Sequence, residues 1–593
     1  MLGGHRYDAV AGKGGARWLA LGLRAAGVGL LLLVPSVSRS AAEPGAKASI
    51  VPELTERQFE AKAVEAKRAK GLDLRLPAVR KTRPAASAKP LFVLETVQVE
   101  GATVFSKGAI AASYEPLLQK SVSELDLLNI VESITERYHA SGYTLSRAIL
   151  SPQDIDNGRL RITVLEGRIE DIVIKGNGAE RFGARRLLEP LLAQRPLSLD
   201  VFERHLLLVN DTPGARITDV SIEEIGEATG RFRLIVHLQT WRVWTSFDLD
   251  NRGSPDIGPL QGFLATALNS HGLGGETLTV NLSTIPDAPR ELRFGGISLD
   301  APLGNQGARL GLAASYSDIW PDDERRAWHG RIQTESYTLS GTIVPFRARE
   351  SSLWLTTFAA IRNAEETSLL GTVYQDRIRA IGLNAAYEVR DAFEGSSYVS
   401  LNVRQGLDIL GASETGGAPI SRANGSSEFS KAYVTLTRHR RLFEQWSVVV
   451  SGAAQAASSA LLASEEFYLG GALFGRAFRS GDVSGDAGLA GFVEVRFDQP
   501  SEGAFVKGHQ WYAFVDSGAV WDRGTGGDNV SLSSFGGGLR VLLQDGLRAG
   551  FEVAVPLGDY AASSNDGGPK VFFTLSKSFK SCSDEFVLFC PSR

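Results

Sequence analysis

Few residues in this sequence stand in arrangements that would support catalysis. It contains no H-E-x-x-H metal-binding motif and no G-x-S-x-G nucleophile elbow, and its 8 histidines are scattered. Gly12-Lys13-Gly14 lacks the upstream glycine and the Ser or Thr of a phosphate-binding loop. Two cysteines, Cys582 and Cys590, are too few for a metal cage or a disulfide framework. We therefore predict no enzyme activity, no catalytic residue, no metal site and no cofactor.

A different kind of chemistry is available in Phe514–Gly518 (FVDSG), which alternates as a β-strand does. Phe514, Asp516 and Gly518 share one face. If this strand spans a membrane, the carboxylate must face the interior, because a charge on the lipid side is costly. An arginine guanidinium could bind such a carboxylate with two parallel hydrogen bonds. Ordinary lumen charges with separate partners are the alternative.

The N-terminus has the layout of a secretory signal peptide, predicted at 1–42. Basic residues precede the apolar run Ala25–Val34, and small residues before Glu43 suit a cleavage site. An anchor helix is the alternative, but the run is shorter than the about 20 residues that span a membrane. Residues 43–91 then comprise a predicted helix, Glu53–Lys70, and a linker rich in Pro, Lys and Arg. That helix lies either in water or in a polar channel.

Two α/β units follow, predicted at 92–167 and 168–239. The first has a strand at 92–101, a helix at Ser123–Ala140 with Ser123 as N-cap, and strands at 143–150 and 159–165. The second repeats this order, with helices at 184–192 and 199–209 and strands at 215–223 and 231–239. Their edge strands are suited to pair with an extended peptide.

From 240 to 579, short alternating segments replace helical periodicity. In Thr277–Thr284, the residues Leu278, Val280 and Leu282 share one face and the polar residues the other. Alternation of this kind is typical of a membrane barrel, and at about 21 residues per strand and connection it predicts roughly 16 strands. A soluble β-sandwich or propeller is the alternative. The tail 580–593 holds both cysteines, which either close a small loop or remain unpaired.

Several motifs resemble those of one protein family. They are Tyr138–Tyr143, Ser151–Asp154, Glu166-Gly167 and the segment Phe467–Gly488. Together with Phe514–Gly518, they resemble the transporters of two-partner secretion, which belong to the barrel-assembly superfamily and export haemolysins and filamentous adhesins. The resemblance implies α+β POTRA domains followed by a transmembrane antiparallel β-barrel of about 16 strands in the bacterial outer membrane, with the POTRA domains in the periplasm.

The resemblance also implies a functional site. Gly470 and Gly471 match the family's glycine pair, and Arg476 and Phe478 match two positions of a V-R-G-F-type tetrapeptide on a loop folded into the barrel. Gly475 and Ala477 depart from the usual Val and Gly. Phe514, Asp516 and Gly518 match a motif on the barrel wall, and Asp516 is implied to pair with Arg476. The predicted helix Glu53–Lys70 would then plug the pore.

The expected function is secretion of an unfolded haemolysin- or adhesin-like exoprotein by a monomeric barrel in outer-membrane lipid, without nucleotide hydrolysis. POTRA domains would recognise the exoprotein in the periplasm. The net charge of −4 gives no reason to expect nucleic acid. An outer-membrane protein insertase of the same superfamily, a passive porin-like channel and a soluble periplasmic binding protein are the alternatives.

Overall fold

The computed structural model describes residues 86–155, 157–254, 256–416, 419–523, 529–558 and 567–582. The predicted signal peptide at 1–42, the predicted helix Glu53–Lys70 and the pairing of Cys582 with Cys590 lie outside these residues. Within the described ranges, no helix combines the length and the apolar character needed to cross a membrane.

The first domain is a small α/β unit. Its elements are β1 (Pro90–Val93), β2 (Thr96–Glu100), α1 (Lys107–Ala111), a 3₁₀ turn (Glu115–Leu117), β3 (Ser121–Ser123), α2 (Glu124–Ala140), β4 (Arg147–Ile149) and β5 (Arg159–Leu165). Strands β2, β5 and β4 form one sheet in that order, and β1 pairs with β3. The single strand predicted for 92–101 is wrong. The chain turns between β1 and β2, because Leu94 is fully buried there and its N–H bonds to the Lys120 carbonyl.

Helix α2 confirms the predicted helix and its N-cap. The Ser123 hydroxyl accepts the Asp126 amide, and the Asp126 carboxylate accepts the Ser123 amide, which forms a capping box. One face of the helix, with residues three or four apart, is buried against the sheet: Leu127, Ile130, Ile134 and Tyr138. The apolar periodicity of this segment thus builds the core of the first domain.

The second domain repeats the arrangement. Its elements are β6 (Arg168–Lys175), a 3₁₀ turn (Ala179–Phe182), α3 (Ala184–Leu188), α4 (Pro190–Ala193), α5 (Leu199–Asn210), β7 (Ala215–Glu224) and β8 (Arg231–Asp250). Strand β8 lies between β6 and β7. The one helix predicted for 184–192 is split into α3 and α4, because Pro190 has no N–H with which to continue the first helix.

The remaining described chain forms a closed antiparallel barrel of sixteen strands. After β8 these are β9 (Gln261–Asn269), β10 (Thr277–Thr284), β11 (Leu292–Leu303), β12 (Ala308–Ile319), β13 (Arg331–Arg347), β14 (Ser351–Ser368), β15 (Gly371–Asp391), β16 (Gly395–Gly406), β17 (Ser430–Arg441), β18 (Trp446–Ala457), β21 (Ala487–Pro500), β22 (Val506–Trp521), β23 (Val530–Leu543), β24 (Arg548–Pro556) and β25 (Lys570–Cys582). Two short strands, β19 (Phe467–Leu469) and β20 (Val483–Gly485), pair with each other in the connection from β18 to β21. The remaining 3₁₀ turns are Glu324–Trp328, Ala463–Glu465 and Gln544–Gly546.

The barrel strands alternate as the sequence predicts. Leu282 on β10 is 47% exposed on the outer face, whereas its neighbour Ser283 is 4% exposed on the inner face. Large apolar side chains on the outside and polar side chains on the inside are what a lipid-embedded barrel requires.

Strand β8 belongs to both the second domain and the barrel. It pairs with β6 and β7 as far as Thr240, and from Val243 to Asp250 it pairs with β9 on one side and β25 on the other. The strand predicted to end at Gln239 therefore continues without a loop. Because β8 enters from the second domain, Asp250 lies at the far end of the barrel, as does the connection that contains β19 and β20.

The second domain contacts the near end of the barrel through polar pairs. Arg347, which ends β13, donates to both carboxylate oxygens of Asp211 at 2.7 and 2.9 Å. Arg186 donates to the Gly274 carbonyl in the β9–β10 turn at 2.8 Å. These contacts fix the domain beside the near opening.

Candidate functional site

The connection from β18 to β21, residues 458–486, folds from the far end into the barrel, and we call it the inward loop. Its apolar residues are almost fully enclosed: Phe467 is 3% exposed, Leu469 1%, Ala477 0% and Phe478 4%. The wall of β18 and β21–β24 supplies the surfaces against which they lie. The inward loop is thus held by the barrel wall along much of its length.

Glycines on the wall leave room for the inward loop. A Cβ atom at Gly518 would lie 2.7 Å from the Cδ2 of Leu469 and 2.9 Å from the Cβ of Ala490, so an alanine there would collide with the inward loop. Because Gly518 has no side chain, the wall leaves room for the side chain of Leu469.

The tip of the inward loop depends on left-handed backbone. Gly470 and Gly471 both have φ near +101°, and Gly475 has φ of +75°. At Gly470 a side chain would also overlap the Arg479 carbonyl oxygen. Gly475 occupies the position where the resembling family usually has Val, and a β-branched residue is strongly disfavoured at positive φ. Glycine rather than valine at position 475 therefore suits the left-handed backbone of this turn.

Asp516 binds the inward loop through the main chain. Its carboxylate accepts the amides of Gly475 at 2.8 Å and Arg476 at 3.3 Å, and the hydroxyl of Ser534 at 2.7 Å. The side chain is 1% exposed. The predicted salt bridge between the Arg476 guanidinium and Asp516 is corrected by this geometry, because the Asp516 oxygens are already bonded to those other donors.

The Arg476 guanidinium instead reaches Glu494 on β21. Its Nη1 lies 2.7 Å from a Glu494 oxygen and 3.5 Å from a Glu552 oxygen. The guanidinium carbon lies 4.2 Å from the ring centroid of Phe514 and 4.7 Å from that of Phe492, so two aromatic rings flank the cation. A buried, flanked and paired guanidinium has a fixed direction as well as a fixed position.

Glu494 is the centre of a charge network. Besides Arg476, it accepts Arg496 at 2.6 Å and Arg540 at 2.9 and 3.2 Å, although it is fully buried. Glu552 joins the network by accepting the Tyr512 hydroxyl at 2.8 Å. The inward loop is therefore tied to β21–β24 by one network of charges and one carboxylate that binds main-chain amides.

Sequence reasoning missed Glu494 and Glu552, although both lie in segments that alternate. Glu494 falls between Val493 and Val495, whose side chains face outwards, so it must face the lumen. A carboxylate at a lumen-facing strand position, flanked by apolar residues, is the signal that would have identified both.

One group of carboxylates among the described residues has the spacing of a metal site: Glu466, Asp486 and Asp522. Arg422 lies among them, with nitrogen–oxygen distances of 3.0, 2.5 and 3.0 Å respectively. The guanidinium already occupies the position that a cation would take, so these residues do not fit a metal.

The first domain has its own half-buried polar cluster. Glu166 accepts the Thr103 amide at 2.6 Å, the Val104 amide at 3.1 Å and the Tyr138 hydroxyl at 2.8 Å. Burial acts to raise the pKa of Glu166, but hydrogen bonds from Thr103, Tyr138 and Val104 outweigh it and lower the pKa below its usual value. Burial, together with the hydrogen bond to Glu166, raises the pKa of Tyr138. Glu166 therefore stays ionised and joins α2 to the loop after β2.

These features define a class of protein: an outer-membrane β-barrel with a POTRA domain in the periplasm. Comparison with known families agrees. Residues 92–167 match the POTRA domain, ShlB-type, and residues 233–541 match the haemolysin secretion/activation protein family ShlB/FhaC/HecB. The chain belongs to this family of two-partner secretion proteins.

Individual relatives are distant. The chain is 23% identical over 378 residues to the heme/hemopexin transporter protein HuxB of Haemophilus influenzae. The aligned region covers 62% of this chain and 65% of HuxB, so the match spans less than two thirds of that relative's length. It is 25% identical over 428 residues to the outer membrane transporter CdiB of Escherichia coli, covering 68% of each. The solved structure of CdiB from Escherichia coli shares the fold, with a TM-score of 0.70 and 20% identity over 91% of this chain and 100% of that one.

Proposed function

We propose that this protein secretes an unfolded, haemolysin- or adhesin-like exoprotein through its barrel, without nucleotide hydrolysis. POTRA domains at 92–167 and 168–239 receive the exoprotein in the periplasm, and a monomeric barrel at 240–579 conducts it. The observation that carries the proposal is a long loop tied inside a closed barrel whose near opening is flanked by a POTRA-like domain. A tied loop lines the lumen without filling it with an apolar core.

The edges of both small sheets support recognition of an unfolded chain. Among the described residues, β2 and β4 end the first sheet, and β6 and β7 end the second. An extended peptide can add to such an edge by main-chain hydrogen bonds, which require little of its sequence. The two domains also meet at a small cleft, which is lined by Thr144, Leu145, Leu197, Ser198, Leu199, Phe202 and Ile222.

Each motif residue has a separate structural role in this proposal. Gly470 and Gly471 let the inward loop turn, Asp516 holds its main chain, and Arg476 fixes its tip to the wall. Phe514 flanks the Arg476 guanidinium, and Phe478 belongs to the apolar cluster between the inward loop and the wall. Gly518 leaves space for the inward loop. The inward loop contacts β21–β24, and its Glu465 also pairs with Arg404 on β16 and Lys431 on β17. The exoprotein therefore passes along the wall opposite these strands.

The test measures export of a large secreted protein encoded beside this one. Cells carry the intact transporter, no transporter, Arg476→Ala, or Arg325→Ala at equal barrel abundance. Arg325 is an arginine of another far-end loop, paired with Asp323, and serves as the control. Export that is lost on deletion and strongly reduced by Arg476→Ala alone supports the proposal.

Two other outcomes would contradict it. Unchanged export after deletion would remove the exoprotein assignment. A general loss of outer-membrane proteins after deletion would indicate insertase activity instead. Purified barrel in liposomes without nucleotide tests the energy source separately, since export there must still proceed.

A further inference from the structure

Connections at the far end of the barrel form two groups. The clasped group comprises the inward loop, residues 407–416 and 419–429 of the β16–β17 connection, and residues 522–523 after β22. The facing group comprises residues 251–254 and 256–260 of the β8–β9 connection, the β10–β11 connection (285–291) and the β12–β13 connection (320–330). Two strands separate the groups on each side, β14 and β15 on one and β24 and β25 on the other. The groups therefore face each other across the far opening.

Arg422 of the β16–β17 connection holds the clasped group together. Its guanidinium bonds to Asp486 at 2.5 Å and Glu466 at 3.0 Å, both in the inward loop, and to Asp522 at 3.0 Å. The Arg523 amide also donates to Asp486 at 2.7 Å. Buried apolar residues of the same segments pack together: Phe429, Leu461 and Leu462. Because separating buried, paired charges is costly, the clasped group moves as one unit.

The facing group is held together by main-chain hydrogen bonds and a second apolar cluster. The Asp322 amide donates to the Asp256 carbonyl at 2.8 Å, which joins the β12–β13 and β8–β9 connections. The Trp320 amide donates to the Glu291 carbonyl of the β10–β11 connection at 3.0 Å. The apolar residues that pack together here are Ile285, Leu292, Phe294, Ile319, Ile332 and Ile257. The facing group thus has a core of its own.

An ion pair between Arg479 and Asp256 joins the two groups. The Nη1 atom of Arg479, in the inward loop, lies 3.5 Å from the Oδ1 atom of Asp256, and the two side chains are 30% and 37% exposed. The side chains of Arg422 and Asp486 within the clasped group are 17% and 0% exposed. Exposed ion pairs contribute little, because water competes for both charges. The Arg479–Asp256 pair is therefore weaker than the contacts that hold the clasped group together.

The space left for an exported chain leads to this pair. The inward loop is tied to β16, β17 and β21–β24, so the exoprotein passes between the inward loop and the opposite wall. The facing group lies at the far end of that wall. A chain that moves outward therefore arrives between the two groups and meets the contact that is easiest to separate.

We propose that the exoprotein leaves the barrel between the clasped group and the facing group, and that the Arg479–Asp256 pair is the latch of this exit. The pair separates when a chain passes, while Arg422 keeps the clasped group in place. The inference rests on the proposed secretion function and adds the point at which the chain leaves.

The first test bridges the latch reversibly. Cys582→Ser and Cys590→Ser remove both cysteines of the sequence, and Asp256→Cys with Arg479→Cys places one thiol on each group. A membrane-impermeant reagent with two thiol-reactive ends and a reducible linker joins these thiols in intact cells. Export of the neighbouring secreted protein is measured before bridging, after bridging and after reduction. Bridging should abolish export, and reduction should restore it.

A matched control places both thiols on the facing group. Asp322→Cys and Arg326→Cys replace an exposed ion pair within the β12–β13 connection, so a bridge there should leave export unchanged. Variants with one thiol, treated with the same reagent, account for its bulk. Heat-modifiable migration shows whether each cysteine variant forms a barrel.

A second measurement tests the latch without a bridge. Asp256→Asn and Arg479→Gln should each raise the uptake of a large, otherwise excluded antibiotic by up to about fivefold, because an exposed pair holds the groups together. The double variant should match either single variant, since one substitution already breaks the pair. Arg326→Gln, which removes an exposed pair within the facing group, should not change uptake.

Undiminished export through a bridged latch would overturn this exit and leave the secretion proposal standing. Unchanged uptake in both single variants, additive effects in the double variant, or an equal effect of Arg326→Gln would also overturn the latch, and these outcomes decide the question if the cysteine variants do not form a barrel. Failure of the unmodified transporter to export would overturn the secretion proposal and the exit with it.

Discussion

Replacing Glu494 by Gln should release the inward loop from the barrel wall. The carboxylate is fully buried and accepts four hydrogen bonds from Arg476, Arg496 and Arg540. Glutamine keeps the size of the side chain but removes the charge, and its amide group turns donors toward guanidinium groups. The substitution therefore tests the charge network rather than the space that Glu494 fills.

The free-energy cost of Glu494→Gln depends on which arginine loses the most stabilising contact. The side chains of Arg496 and Arg540 are 27% and 39% exposed, so water replaces part of what they lose. The Arg476 side chain is 6% exposed, and the carboxylate that remains paired with it is that of Glu552, at 3.5 Å. Breaking a buried ion pair by removing one partner costs about 3–5 kcal/mol, and the hydration of two arginines favours the lower value. A cost of about 3 kcal/mol raises the released population by roughly a hundredfold.

Limited trypsin digestion of the purified barrel measures that population. Trypsin cleaves after Arg476 and Arg479. The Arg479 side chain is 30% exposed, but a protease must also take up the preceding residues, and Ala477 and Phe478 are buried, so cleavage requires the inward loop to leave the wall. When release and return are fast compared with cleavage, the cleavage rate reports the equilibrium population of the released form. Cleavage at Arg479, followed by mass spectrometry, should accelerate by about a hundredfold.

The matched control is Glu366→Gln, which neutralises another buried lumen carboxylate, one that lies 4.0 Å from Arg325. The double variant Arg476→Gln, Glu494→Gln should be cleaved more slowly at Arg479 than Glu494→Gln alone, because it no longer strands a buried cation. Unchanged cleavage in Glu494→Gln, or equal acceleration in Glu366→Gln, would refute the reasoning, provided that heat-modifiable migration shows an intact barrel.

Three further substitutions follow from the structure. Gly475→Val should increase trypsin cleavage of the inward loop by about tenfold, since a side chain at positive φ costs roughly 1–2 kcal/mol. Glu166→Gln should weaken hydrogen-exchange protection around Tyr138 by about 1–3 kcal/mol at neutral pH. Because the folded pKa of Glu166 is lowered, its stabilisation is present above the ordinary carboxyl pKa and disappears as pH falls through the folded pKa. Arg347→Gln should speed hydrogen exchange in α5 beside Asp211, because losing the pair lowers the free energy of local opening there by about 2 kcal/mol.

Each of these has a control. Gly475→Asn, which tolerates the left-handed region better than valine, should be the milder change. A pH profile of exchange that stays the same in Glu166→Gln would contradict the assigned ionisation. Arg349→Gln removes a more exposed pair with Glu203 and should alter α5 less than Arg347→Gln does.

Local patterns made much of the fold predictable. The periodicity of 124–140 and the side chain of Ser123 specify α2 and its start, because both act within one helix. The alternation in Thr277–Thr284 assigns its faces correctly, because a strand has a fixed period of two. The position of Asp516 in the lumen follows from the same rule.

Other features depend on contacts that no local pattern contains. Arg476 binds Glu494 because the oxygens of Asp516 are occupied by the Gly475 amide and other donors, which only the folded loop reveals. The end of the strand predicted at Gln239 is absent because neighbours in two different sheets continue its ladder. The turn at Leu94 likewise arises from burial within the domain.

The continuity of β8 has a mechanical consequence. Ladder hydrogen bonds of antiparallel strands lie perpendicular to the strand, so a pull on the second domain along β8 loads the whole row from Val243–Ser581 to Asp250–Thr574 in shear. Bonds loaded together in shear resist more force than bonds opened one at a time. The β8–β25 ladder, where the barrel closes, therefore carries the force when a bound chain pulls on the second domain.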